Sequence, residues 1–538
     1  MGFRWWAGCP RPASHHGAPA RILCRPTEAS GNQGWGTTAF CLPGEPGLEA
    51  FVNPAHAGPV AGARFVRLAV ACFIMGLIHG ARVLAMDASA LVERVLAQDG
   101  RGLPADWGVH EGWRAPAWYG LRLPEPDPVT SSNALAAALA ALPHVRLDVA
   151  ETDLFGERGI YSHPMETGEA WERPVRMSYD GGPGEPAFAV GAGLRIHGGW
   201  NRMPKESPKH SFRIVFRARH GTPKLWQRLF KTGPSTFDQL VLRAGNNHSW
   251  LHWDAAERRT ADYLRDPWMR ATHAAMGQPA ARSRPVHLFL NGLYWGVYDL
   301  CERPDAHFAA QAWGGKAEDY DARNADKVLS GDGRSWDEML AMANAGIRSR
   351  EDYEAIGRVL DVPAFIDFML LNLYGANADW DRASNWYAAR RRARTGRWRF
   401  IVWDGERTLE KVEDNRLDAD DDQSPMRLFQ RLRAWPEFRE EFGRRARLHL
   451  GPGGVMAPGP AAERLRALAD VLRPAMAAEA ARWGSYRSEV HPYKEGPFET
   501  YTVKDHWEPE VSRILDAYLP ARAGVFLGQL QGAGLASP

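Results

Sequence analysis

The sequence predicts an α+β fold, with a sheet-rich lobe followed by a helix-rich one. Three observations carry this. Short alternating segments and turn residues crowd the chain from about residue 145 to 302, whereas helical periodicity dominates its last third. Asn291-Gly292 stands between the apolar runs "PVHLFL" and "LYWGVYDLCE", the signature of a type I′ hairpin. The chain has 538 residues, 45% hydrophobic and 24% charged, an ordinary globular balance sufficient for one large domain or two.

Taken in order, residues 1–63 are rich in Gly, Pro and Ala and lack sustained periodicity, which predicts a disordered leader or a mis-assigned start. Residues 64–85 hold Arg64 and Arg67, the run "LAVACFIMGLI" and the small-residue site Val83-Leu84-Ala85. These are the parts of a signal peptide, and the run is short for a membrane span. The expected location is therefore secreted or in the cell envelope, with no stable membrane span. Residues 86–146 form a helical segment around "ASALVERVLAQ" and "SNALAAALAAL". From 147 to 530 a single domain is expected. Its strands are "HVRLDVAE", "AFAVGAGLRIHGG", "SFRIVFRAR", "DQLVLRAGNN" and the Asn-Gly hairpin. A helix at "DVPAFIDFMLLNLYG" precedes a second hairpin, with strands near 385–390 and 397–404 turning at Thr395-Gly396. Three amphipathic helical stretches complete the chain.

Composition removes several classes of function. A net charge of +2 creates no field for nucleic acid, and the arginines at 390–399 read as a solvated hairpin. The five cysteines include no CxxC and no zinc spacing, and Cys301 stands alone in the main body. The 22 tryptophans fit a large core better than a sugar platform. His248 and His252 lie four apart but lack the glutamate of a zinc helix, so a surface or hydrogen-bonded pair is expected. The glycines of "DGGPGEPAFAVGAG" match no phosphate-loop pattern and read as hairpin turns.

The chemistry gathers at "RWRFIVWDGE" (397–406). Strand alternation puts Trp398, Phe400, Val402 and Asp404 on one face, so Asp404 points inward at the strand end. An inward carboxylate needs a cation, a metal or donors. Just upstream come Asp379, Asp381 and Asn385, and hairpin pairing makes Asn385 and Asp404 neighbours. Such oxygen ligands suit Mg²⁺ with phosphates completing the shell. Protein kinases combine a base Asp, an Asn on metal and a later Asp on metal, although their spacing is not reproduced here. In "RMPKESPKHSFRIVFR", Arg202, Lys205 and Lys209 are candidate phosphate cations at a strand entry.

Four segments resemble the CotH kinase family of secreted, atypical protein kinases. They are "GLRIHGGWNRMPKESPKHSFRIVFR", "LRAGNNHSW", "NGLYWGVYDLCERPD" and "DWDRASNWY…GRWRFIVWDGERTLE". "GIYSHPMETGEAWERPV" and "AEAARWGSYR" resemble its larger bacterial branch. The resemblance implies a two-lobe, protein-kinase-like fold that binds ATP with Mg²⁺ or Mn²⁺. Its partner would be a protein in the envelope or extracellular space, phosphorylated on Ser or Thr. Lys209 would contact phosphate, with Arg202 before it, and Asp379 would be the catalytic base. Asn385 and Asp404 would hold metal, and Glu302 would lie near the nucleotide. Glu406 stands where the family motif "WDlD" has its second Asp, and would bring an acid longer by one methylene to the metal. A non-catalytic envelope or coat module binding protein or polysaccharide is the alternative on the same fold. A glycosidase using Asp379 and Asp404 has no second support.

Overall fold

In the computed structural model, residues 88–110, 112–123, 128–380, 384–421 and 425–536 are described. The expected leader, the signal peptide at 64–85 and Asp381 lie outside them.

The sheet-rich half is a closed seven-stranded barrel. Its strands are β1 (His144–Asp148), β2 (Arg173–Asp180), β3 (Ala187–His197), β4 (Ser211–Val215), β5 (Gln239–Arg243), β6 (Ser283–Leu290) and β7 (Leu293–Glu302). Around the barrel they run β6-β7-β5-β4-β3-β2-β1. All neighbours are antiparallel except β6 and β1, whose parallel pairing, from His287↔His144 to Leu290↔Leu147, closes the ring. Alternate residues fill the inside. Val145 and Leu147, Phe212 and Ile214, Leu240 and Leu242, and Tyr298 and Leu300 belong to one buried cluster. The predicted hairpin forms as read. Leu290 pairs with Leu293, and Asn291 and Gly292 have φ of 48° and 79°, the two positive values a type I′ turn demands. The glycine-rich stretch 181–186 is likewise a turn, joining Asp180 to Ala187.

Before the barrel come α1 (Ala88–Leu96) and α2 (Pro128–Ala140), separated by a short two-stranded ribbon over residues 106–116 that the helical reading of 86–146 did not anticipate. After β5 comes α3 (Arg265–Ala275), and after the barrel α4 (Ala306–Trp313). A second, antiparallel sheet follows. It consists of β8 (Tyr320–Asn324), β9 (Lys327–Ser330), β10 (Trp386–Arg391) and β11 (Arg399–Val402), in the order β9-β8-β10-β11. The sequence showed β10 and β11 but not β8 and β9.

Between β9 and β10 lie α5 (Arg334–Ala345), α6 (Arg350–Val359) and α7 (Val362–Tyr374). The last third is helical as expected, with α8 (Pro425–Leu432), α9 (Pro436–Leu450), α10 (Pro458–Leu472) and α11 (Leu519–Gly532). No helix among the described residues is long and apolar enough to cross a membrane.

β11 is buried on both faces, and this positions the site. Trp398, Phe400 and Val402 join the helical core with Trp336, Phe365 and Phe368. Ile401 and Trp403 face the other way, against Val241 and Cys301 on the outside of the barrel. The second sheet is thus the layer between helices and barrel. Among the described residues, nine tryptophans are fully buried in the core. The arginine-rich turn at 391–395 is exposed.

α7 carries a buried acid, Asp367. It accepts hydrogen bonds from Gln278 Nε2 (2.7 Å), Arg445 Nε (2.6 Å) and His449 Nε2 (2.9 Å). Burial would raise its pKa, but His449 and Arg445 overcome this and hold it below the ordinary 3.8. A depressed carboxylate contributes stability that is present above its unfolded pKa and lost as pH falls through the folded one. Melting temperature should therefore drop below about pH 4 in the wild type, and more shallowly in Asp367→Asn. Identical acid profiles would refute this account.

Candidate functional site

The site forms where β5, β11 and the start of α3 meet. β5 ends an apolar run on Arg243, and β11 leads through Trp403 to Asp404. Arg243 Nη2 donates to Asp404 Oδ1 (2.5 Å) and to Glu406 Oε1 (2.7 Å). Its Nε lies 3.3 Å from Asp266 Oδ2 near the start of α3, and its guanidinium sits over the Trp403 ring at 4.8 Å. Burial opposes its charge, yet Asp404, Asp266 and Glu406 together hold it well above the ordinary arginine value. The cation needed by the inward Asp404 is thus supplied within the chain. Sequence reasoning assigned no role to Arg243. The signal was there: an arginine ending the apolar strand Leu240-Val241-Leu242, the counterpart of an aspartate ending the other.

One local expectation is corrected. Strand alternation does not extend to Asp404. It has φ of 61°, a left-handed conformation that turns its side chain from the helical core to the barrel. Gly405 packs closely on α3. A Cβ there would lie 2.8 Å from Met269 Cγ, so glycine permits close packing on α3, where its N–H donates to Asp266 Oδ1 (2.9 Å).

Asn385 and Asp379 stand beside this cluster. Trp386 pairs with Val402, which sets Asn385 next to the end of β11. Asn385, with φ of 65°, donates from Nδ2 to Asp379 Oδ2 (2.9 Å) and Asp379 O (2.7 Å). The N–H of Ala378 donates to Arg407 O (2.8 Å), tying this loop to the one after Asp404. The structure therefore brings together Asp379, Asn385, Asp404 and Glu406.

Glu406 has its oxygens committed. Oε1 takes Arg243, and Oε2 accepts the N–H groups of Asn246 (3.2 Å) and Asn247 (2.9 Å). Burial, then the Asp404 carboxylate, push its pKa up to about 8. It anchors the loop after β5. Asp404 differs: its side chain is 30% exposed, and only Oδ1 is held by Arg243. Its second oxygen and the amide oxygen of Asn385 are hard donors that fit a divalent ion whose remaining ligands come from phosphate and water. Among the described residues, no group of three or more His, Cys, Asp or Glu side chains is arranged to hold a metal by itself.

The other expected ligands are placed elsewhere. Lys209 is buried, and its Nζ donates to Glu479 Oε1 and Val297 O, both at 2.7 Å. Burial pushes its pKa down, with Glu479 opposing. It is a buried cation paired with an acid from a distant helix. Arg202 spends its guanidinium on the carbonyls of Gly198, Pro164, Glu166 and Ile196. Glu302 accepts the N–H and Nη1 of Arg282 at the end of β7, three residues beyond Asp299, the strand partner of Arg243. His248 and His252 are hydrogen-bonded, to Thr260 and Glu410 and to the N–H of Asp254 respectively.

Glu479 is the second residue that sequence reasoning missed. Its Oε2 accepts the N–H of Val297 (2.7 Å) at an irregularity in the β6–β7 pairing. Gly296, with φ of 108°, makes room: a Cβ there would sit 2.6 Å from Glu479 Oε2 and 2.7 Å from Trp483 Nε1. Gly296→Ala should cost about 2–4 kcal/mol, combining left-handed strain with this clash, as read by chemical denaturation. A cost under about 0.5 kcal/mol would overturn this reading.

A cleft of about 90 Å³ opens on the Glu406 side of the cluster, lined among others by Arg243, Asn247, Tyr263, Tyr298 and Asp299. Lys209 Nζ lies over the rings of Tyr263 (5.6 Å) and Tyr298 (4.9 Å), so the Lys209–Glu479 pair forms part of its support.

Barrel, second sheet and helices define a mixed α and β protein whose acid–arginine centre lies where they meet. The chain belongs to the CotH kinase family: the model of the family described as CotH kinase protein matches residues 194–523, more than half of its length. Membership brings a kinase-like function at the level of the family, and with it the general use of ATP and a divalent metal. No curated protein matches the chain.

Proposed function

We propose that this protein is an ATP-dependent kinase that transfers the γ-phosphate to Ser or Thr of a protein partner. Family membership supports the class, and the juxtaposition of Asp379, Asn385 and Asp404 beside Arg243 carries the assignment to this site. The barrel half and the helical half would take the parts of the two kinase lobes. Asp404 and Asn385 would hold the divalent ion, which supplies charge neutralisation on the phosphates. Asp379 would accept the hydroxyl proton of the substrate, with Asn385 Nδ2 orienting its carboxylate. The Lys209–Glu479 pair parallels the lysine–glutamate pair that kinases require, here as a support under the cleft. Action in the envelope or outside the cell is part of the proposal, on the signal-peptide pattern at 64–85.

The test is incorporation of γ-phosphate from ATP with Mg²⁺ or Mn²⁺, by autophosphorylation or into Ser/Thr peptides. Asp404→Ala and Asp379→Asn should each lower the rate by about 10²-fold or more while remaining folded. A folded wild type that neither binds ATP nor transfers phosphate would leave the alternative, a binding module on the same fold.

A further inference from the structure

We propose that Arg213 and Arg303, with His197 beside them, hold the polyphosphate of the nucleotide. The inference rests on the kinase reading and names the residues that recognise this part of its substrate.

Arg213 and His197 lie on the outer side of the barrel, and Arg303 directly follows the end of β7. Arg213 pairs with Arg195 on β3 and Val241 on β5, and His197 lies two residues beyond Arg195, on the same face. Val241 belongs to the layer that packs on Trp403. The His197 ring is 6.3 Å from the Trp403 ring, over which Arg243 also sits. Arg303 lies 5.9 Å from the ring of Tyr387, which packs 5.3 Å from Trp403. His197 thus borders Trp403, the residue that immediately precedes Asp404, and Arg303 is separated from it by the Tyr387 ring.

Their charge is poorly balanced. Arg195 is paired with Glu172, and Arg243 has Asp404, Glu406 and Asp266. Arg213, by contrast, donates from Nε to the neutral side chain of Gln239. Arg303 is 9% exposed, and its Nε is buried without a hydrogen-bond partner. Its closest carboxylate, Asp305 at 3.6 Å, also caps α4 and accepts from Gln239. Burial and then Arg303 push Arg213 down to about 9. Burial, followed by Arg303, Arg243 and Arg213, holds His197 well below its ordinary value, which keeps the imidazole neutral. Two crowded guanidiniums with an unfilled donor fit an anion with several oxygens, and phosphate accepts from arginine in forked geometry.

The experiment is calorimetric titration of the full chain with tripolyphosphate, ATP and adenosine, for the wild type, Arg213→Gln, Arg303→Gln and Arg213→Lys. Both glutamine variants should lose about tenfold or more in affinity for tripolyphosphate and ATP, with a shallower salt dependence and unchanged adenosine binding. Arg213→Lys should keep part of the affinity. Arg213 is partly exposed, so its variants remain informative if Arg303→Gln fails to fold. Wild-type affinity for tripolyphosphate and ATP in folded Arg213 variants would overturn the inference and leave the kinase reading standing. Tripolyphosphate binding that depends on both arginines, in a protein that transfers no phosphate, would support the inference and remove the kinase reading. A wild type that binds neither tripolyphosphate nor ATP would overturn both.

Discussion

Replacing Lys209 by methionine should destabilise the fold by about 3–5 kcal/mol, because it leaves the Glu479 carboxylate buried without its cation. Both side chains are almost wholly inaccessible, at 2% and 1% exposure, and their 2.7 Å contact joins the entry of β4 to the short helix Met476–Glu479, 270 residues later. Glu479 is also held by the N–H of Val297, so it cannot simply rotate to water. The double variant Lys209→Met/Glu479→Leu should recover much of the loss, since two apolar groups replace a desolvated pair. Urea denaturation of the two single variants and the double variant reads this directly. A loss below about 1 kcal/mol in Lys209→Met, or a double variant as unstable as the sum of the singles, would show that the pair is not the support described.

Arg243→Met is expected to cost a similar amount, about 3–5 kcal/mol, for the opposite reason. It removes the cation shared by Asp404 and Glu406 and one of the two that face Asp266. The remaining carboxylates then repel one another in a buried setting. Combining Arg243→Met with Asp404→Asn should restore part of the stability without restoring phosphotransfer. That separates the structural debt of the cluster from its chemistry. Equal instability of Arg243→Met with and without the Asn substitution would show that Asp404 is not the group Arg243 neutralises.

Much of this arrangement was legible in the sequence, and what was not has identifiable causes. The Asn291-Gly292 hairpin, the strands around 386–402 and the C-terminal helices follow from local pattern, which is why they were read correctly. The barrel was not visible, because its closure depends on β6 returning beside β1, and no short-range signal encodes a pairing at that distance. The same applies to the site. Asp404 was found because an acid ending an apolar strand demands a partner. That partner could be named only as a cation, a metal or donors, because Arg243 lies 161 residues away. The Lys209–Glu479 pairing was not legible because its members lie 270 residues apart, and the stretch holding Glu479 entered the family resemblance without a role. Asp404 itself defeated the alternation argument, since a single left-handed residue moves a side chain to the other layer and no local rule required it there.

The parallel closure of β1 on β6 has a consequence for how the chain is made. His144 and His287 emerge from a ribosome roughly 140 residues apart, which at about 5–20 residues per second is a delay of some 7–28 seconds. During that interval β1 and β2 present an unpaired edge and an apolar face that the finished ring hides entirely. Synthesis rate and holding chaperones, more than the stability of the completed barrel, should therefore govern how much of this protein is recovered when it is produced.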